Sequence, residues 1–170
     1  MMTNPLKADR DAAQGGSEKN GLAGVSAIDI LLVEDNEDHA VLTADALRTA
    51  YADVVTTRVH VAADGDAAIA FLHRQGQYAA APRPDLILLD LRLSNRDGFE
   101  VLRAIKEDPV LRVIPTVILT TSDAEEDVVK SYRLGANEYI TKPVSAAEYI
   151  AKVQAIPRYW VRFSALPPKG

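Results

Sequence analysis

From residue 28 to residue 156 the chain alternates short apolar runs with stretches whose apolar positions recur every three or four residues. The clearest run is Leu86-Ile87-Leu88-Leu89, set between Asp85 and Asp90. Four aliphatics without polar alternation predict a strand buried on both faces, as in a parallel α/β sheet. Ile28 to Val33 is a second such run, closed by Glu34-Asp35. A helix is predicted from about Asn36 to Ala50, with Asn36 as N-cap, acids in its first turn, and Val41, Leu42, Ala46 and Leu47 inward. Arg58 to Ala62 reads as a strand, Asp64-Gly65 as a turn, and the stretch to Arg74 as a helix with Ala68, Ile69 and Leu72 inward. Gln75 to Pro84 reads as a loop, longer than most in such alternating patterns.

A helix from Gly98 to Glu107 stops at Asp108-Pro109, because proline disfavours helical geometry in the residue before it. Thr116 to Thr120 is the fourth strand; Ser122 or Asp123 caps a helix to Leu134, and Gly135 ends it. Glu138 to Thr141 is the fifth strand, and a last helix starts near Ser145. Five strands, each followed by a helix, predict a doubly wound (βα)5 fold by the right-handed crossover rule.

Composition narrows the picture. With 170 residues, 48% of them hydrophobic, there is material for one core. Residues 1 to 26 are poor in large aliphatics and read as a flexible N-terminal tail, ahead of a domain over 27–156 and an extension over 157–170. A net charge of −5 argues against nucleic acid as a partner. The absence of cysteine excludes disulfides and thiolate chemistry, and His39, His60 and His73 lack metal-type spacing. No apolar run approaches the roughly 18 residues of a membrane span, and no signal-peptide core follows the N-terminus, so a cytoplasmic setting without membrane contact is expected.

The candidate chemistry lies at strand ends. Glu34-Asp35, Asp90, Thr120-Thr121 and Lys142 each follow an apolar run. Parallel strands bring their C-terminal ends to one edge, where open α/β sheets bind ligands. Polar residues at strand ends can simply meet water, but an acid pair, a lone acid, a hydroxyl and a lysine together suit a hard divalent cation and an anion beside it.

At this point the chain resembles the receiver domain of two-component response regulators. The resemblance rests on VEDNED at 33–38, DLILLDLRLSNRDGFE at 85–100, ILTTSDAEE at 118–126 and GANEYITKP at 135–143. It implies a flavodoxin-like sheet in the order 2-1-3-4-5 and no enzyme activity of its own. It implies a single-domain regulator whose Asp90 accepts a phosphoryl group from a partner histidine kinase, with Mg²⁺ as cofactor, and which signals through phosphorylation-dependent protein–protein interaction. Glu34, Asp35, Asp90 and the backbone carbonyl of Arg92 would hold the metal. Lys142 would pair with the phosphoryl oxygens, while Thr120 and Tyr139 would form the switch. The Lys142–Pro143 bond is expected to be cis. Ser94, Thr121 and Arg92 depart from the usual pattern around the site.

A finer resemblance, carried by residues 75–93 and 158–167, is to the stand-alone regulators of bacterial phytochrome histidine kinases. A phosphorelay intermediate, feeding a histidine phosphotransfer protein, stays open. A haloacid dehalogenase type phosphatase needs a second acid two residues beyond its nucleophile, where this chain has Arg92. Tyr149, Val153, Ile156, Trp160 and Phe163 recur at intervals of four and three, which predicts a homodimer seam on the C-terminal helix region. In that reading Pro157 sits in the first turn of a renewed helix that carries Tyr159, Trp160 and Phe163 beyond the domain body; the alternative is that Pro157 folds the end back on its own domain.

Overall fold

The computed structural model describes residues 27–50 and 52–169, so the expected N-terminal tail lies outside the described residues. β1 (Ala27–Val33), β2 (Thr56–Ala62), β3 (Leu86–Leu89), β4 (Thr116–Thr120) and β5 (Glu138–Thr141) form one parallel sheet in the order 2-1-3-4-5. The helices are α1 (Glu37–Thr49), α2 (Gly65–Leu72), α3 (Gly98–Glu107), α4 (Glu125–Arg133) and α5 (Ala146–Arg162). The expected doubly wound topology is therefore present.

Period-two alternation divides the sheet between two cores. Ile28, Ile30 and Leu32 face α1 and α5, meeting Leu47, Val153 and Ile156. Leu31 and Val33 face the other way, with Phe71 of α2 and Leu102 and Ile105 of α3. Each such buried aliphatic contributes about 1.5–3 kcal/mol. α4 is held least, since Ser131 is its one buried residue.

Several local expectations shift by a helical step. Asn36 caps α1 by accepting the His39 N–H at 2.9 Å. Val41, however, is 56% exposed, and the inward stripe is Ala40, Thr43, Ala44 and Leu47. That stripe lets the Thr43 hydroxyl bond the buried Tyr149 of α5, and small alanines bring the helix close to the sheet. α4 is capped by Ala124 without a side-chain bond, because Ser122 and Asp123 lie ahead of the cap; three acids in the first turn complement the helix dipole instead. Gly135, at φ 94°, ends that segment in the left-handed region. The 75–84 loop contains a 3-10 turn, Gly76–Tyr78, with the Tyr78 ring set edge-on to Phe71 at 5.6 Å.

The largest departure is at the C-terminal end. α5 runs without a break through Pro157, so no renewed helix starts there. A helical proline costs about 3 kcal/mol, and burial on both sides offsets it: Val153 and Ile156 before it, Trp160 and Val161 after it, all pack on one core. The anticipated dimer seam is therefore mostly spent within the molecule. Tyr149, Val153 and Ile156 are buried, Trp160 is half-buried, and only Tyr159 and Phe163 stand out, at 53% and 68% exposed. The chain does fold back, but after Phe163 rather than at Pro157. Leu166 packs on the α1/α5 core, and Lys169 pairs with Asp29 and Asp85 at the base of the sheet.

Candidate functional site

Register builds the site. Val33 is opposite Leu89, so the next residues, Glu34 and Asp90, stand side by side; Thr120 is opposite Thr141, which puts Lys142 one step beyond. Backbone bonds continue the sheet past its last assigned residues, from Asp90 N to Val33 O at 3.1 Å and from Lys142 N to Thr120 O at 2.7 Å.

Lys142 Nζ donates to Asp90 Oδ2 at 2.7 Å and also to Glu34 Oε2. All three residues are at most 9% exposed. Burial opposes the Lys142 charge, but Asp90 and Glu34 outweigh it and hold its pKa above the ordinary value. Burial pushes the Glu34 carboxyl up, against the pull of Lys142. Glu34 Oε1 accepts the Asn36 N–H at 3.2 Å, and Asp90 Oδ1 accepts the Arg92 N–H at 2.9 Å. Asp35 lies next to them, half-buried.

Thr120 is fully buried, and Tyr139 is half-buried on the neighbouring strand. Ser122 connects them: its N–H approaches Thr120 Oγ1 at 3.4 Å, and its carbonyl accepts the Tyr139 hydroxyl at 2.9 Å. Every strand-end residue singled out in the sequence thus meets at one edge of the sheet. The expected cis bond is absent: no peptide bond among the described residues is cis, so Lys142–Pro143 is trans, the isomer favoured by about 0.5–1 kcal/mol.

The oxygen-rich donor set suits a hard divalent cation, and the Lys142 ammonium already lies between two of its carboxylates. Among the described residues no three acidic or histidine side chains converge tightly enough to hold a metal as they stand. A cation on Glu34 and Asp90 would share them with Lys142.

Three features escaped the sequence reading. Gly98 packs against the back of the site: a Cβ there would lie 2.4 Å from the Asp90 carbonyl oxygen and 2.5 Å from Leu91 Cα. Its signal was Asp97-Gly98 just ahead of a helix. Arg92 stands out in the sequence for its backbone carbonyl and as a large cation beside the site, but its partner is legible only in the fold: its guanidinium bonds Asp127 of α4 at 2.9 Å. Asp29 interrupts the β1 run and carries an ion cluster at the opposite edge, with Arg58, His60 and Lys169.

The model of the response regulator receiver domain matches residues 30–154. The chain belongs to the response regulator receiver family. Response regulator Rcp1 of Synechocystis sp. is 45% identical over 138 residues, covering 81% of this chain and 92% of that protein. The phosphorylated cyanobacterial phytochrome response regulator RcpA has a structure that superposes with a TM-score of 0.79 at 43% identity, covering 84% of this chain and 99% of that one. The Mn²⁺-bound form of Rcp1 gives 0.77 at 43% identity, over 83% and 99%. Receiver domains take a phosphoryl group from a histidine kinase, bind a divalent metal and signal through the phosphorylated state. No helix among the described residues is long and apolar enough to cross a membrane.

Proposed function

We propose that Asp90 is the phosphoacceptor of this receiver. The observation that carries the reading is the buried contact of Asp90 and Glu34 with one lysine at the C-terminal edge of the sheet. In the reaction an Asp90 carboxylate oxygen attacks the phosphorus of a kinase phosphohistidine. The O–P bond of an acyl phosphate forms, the P–N bond breaks, and its electron pair stays on the imidazole nitrogen. Lys142 stands 2.7 Å from the reacting carboxylate, placed to pair with phosphoryl oxygens as charge develops on them.

Glu34, Asp35, Asp90 and the backbone carbonyl of Arg92 form the set for Mg²⁺, which when bound would neutralise phosphoryl oxygens. Thr120 and Tyr139, both bonded to Ser122, are the pair that reads the phosphoryl group. The likeness to RcpA, a cyanobacterial phytochrome response regulator, supports a bacterial phytochrome kinase as the partner. The exposed Tyr159 and Phe163 support a homodimer through the C-terminal end of α5. The receiver spans residues 27–156, and 157–170 extend it.

Incubation of the full chain and Asp90→Asn with acetyl phosphate, with and without EDTA, followed by intact mass, tests the assignment. One phosphoryl group on the wild type, abolished by EDTA and absent from the variant, is expected. Equal incorporation in both proteins would overturn it.

A further inference from the structure

Arg92 touches the site with its backbone and α4 with its side chain. Its N–H donates to Asp90 Oδ1 at 2.9 Å, while its Nη2 donates to Asp127 Oδ2 at 2.9 Å and to Ser122 Oγ at 3.3 Å. Ser122 Oγ donates to the same Asp127 oxygen at 2.6 Å. One carboxylate on the first turn of α4 therefore gathers the loop after β3 and the loop after β4. Through Ser122 it also reaches Thr120 and Tyr139. The two partners differ in freedom: the Asp127 side chain is 18% exposed and that of Arg92 is 62% exposed. The acid is fixed, and the cation is the member that can swing.

We propose that Arg92 is a two-position latch. With Asp90 unmodified, its guanidinium ties Ser122 and the first turn of α4 to the loop after β3. With Asp90 phosphorylated, the guanidinium moves to the phosphoryl oxygens and releases Ser122 and α4. The inference rests on Asp90 being the phosphoacceptor. The driving force is a competition between acceptors. A phosphoryl group carries about −1.5 to −2 charges on three strong acceptor oxygens, against −1 on Asp127. A guanidinium, planar and weakly hydrated, favours such an oxyanion. Arg92 loses little hydration in moving, because it is exposed in the resting position. α4 is the helix with least core to hold it, so losing this tie has a structural consequence. Backbone donation to Asp90, and the Arg92 carbonyl, are untouched by side-chain substitution.

Linkage supplies the test. If the phosphoryl group weakens the Arg92–Asp127 pair, breaking that pair must strengthen binding at Asp90 by the same factor. Beryllofluoride with Mg²⁺ is the probe, titrated into the full chain and followed by fluorine NMR. The proteins are wild type, Asp90→Asn, Arg92→Ala, Asp127→Asn and the Arg92→Ala/Asp127→Asn double variant. Asp127→Asn should bind about two- to fivefold tighter, the factor in an exposed ion pair. Arg92→Ala should bind about five- to tenfold weaker, for loss of a charge-assisted contact. In the Arg92→Ala background Asp127→Asn should add nothing. Amide exchange over residues 122–130 should rise on beryllofluoride binding in the wild type and be already raised in Arg92→Ala.

An Asp127→Asn effect of the same size in both backgrounds, or none in either, overturns the latch. So does Arg92→Ala binding beryllofluoride with wild-type affinity. Asp90→Asn separates the two claims. If it binds the probe as wild type does, the phosphoacceptor reading fails. If it loses binding while the Arg92 and Asp127 variants match wild type, only the latch fails.

Discussion

Asp29→Asn should destabilise the fold by about 2 kcal/mol at pH 7, although Asp29 is remote from the edge that holds Asp90 and Lys142. The Asp29 side chain is 2% exposed and accepts from Arg58 Nε and Nη2, His60 Nε2 and Lys169 Nζ, all at 2.8–2.9 Å. Breaking a fully buried ion cluster by removing one member costs about 3–5 kcal/mol. Here Arg58 is 54% and Lys169 39% exposed, so both regain water, and Asp85 keeps Lys169, which brings the figure down. For a chain of this length 2 kcal/mol lowers Tm by about 4–8 °C.

The cluster also fixes a pH signature. The Arg58 bond leads, opposed by burial and joined by Lys169 and His60, and the Asp29 carboxyl is held well below the usual carboxylate range. A depressed carboxylate pKa stabilises the fold above its unfolded value of about 3.9, and that stability is lost as pH falls toward the folded value. The gap between wild type and Asp29→Asn should be whole at pH 7 and shrink by about 1 kcal/mol at pH 3. Urea unfolding followed by circular dichroism across this range measures it. A gap under about 0.5 kcal/mol, or one equally wide at pH 7 and pH 3, would refute the reasoning.

Lys169→Met removes only the C-terminal anchor and should cost about 0.5–1 kcal/mol in the same assay, with faster amide exchange near Leu166. Gly98→Ala forces a methyl against the Asp90 carbonyl and Leu91; about 1–3 kcal/mol of destabilisation is expected, with slower labelling by acetyl phosphate in intact-mass time courses. Lys106, which donates to the Ile114 carbonyl, has its pKa lowered to about 8, chiefly by burial and then by Arg112. Since the unfolded lysine titrates near 10.4, the unfolded chain holds more protons between those values. Urea midpoints should therefore rise from pH 8 to pH 10 in the wild type and stay flatter in Lys106→Met. Thr120→Ala should keep phosphorylation by acetyl phosphate while losing the change in Tyr139 environment, followed by tyrosine NMR.

Local chemistry made much of this protein legible from its residues. The unbroken run 86–89 marked a strand covered on both faces, because only a doubly covered strand excludes polar residues from both of its sides. Asn36, Gly135 and the Asp108-Pro109 stop announced helix ends, since capping and proline geometry act within a few residues. The strand-end set Glu34, Asp90, Thr120 and Lys142 converged as expected, because parallel topology gathers strand ends whatever lies between them. What side chains do across distance was settled by the tertiary structure. Val41 points outward because the helix turns its alanines and Thr43 inward, a choice made by the sheet and α5 rather than by α1. The apolar series on α5 looked free for a second copy, yet the same spacing serves the molecule's own core, which claims Tyr149, Val153 and Ile156 first. Lys169 reaches Asp29 across 140 residues, and Arg92 finds Asp127 across 35. Periodicity records which face of an element is apolar; which partner covers that face, and which charge meets which, depends on contacts formed only when the chain closes.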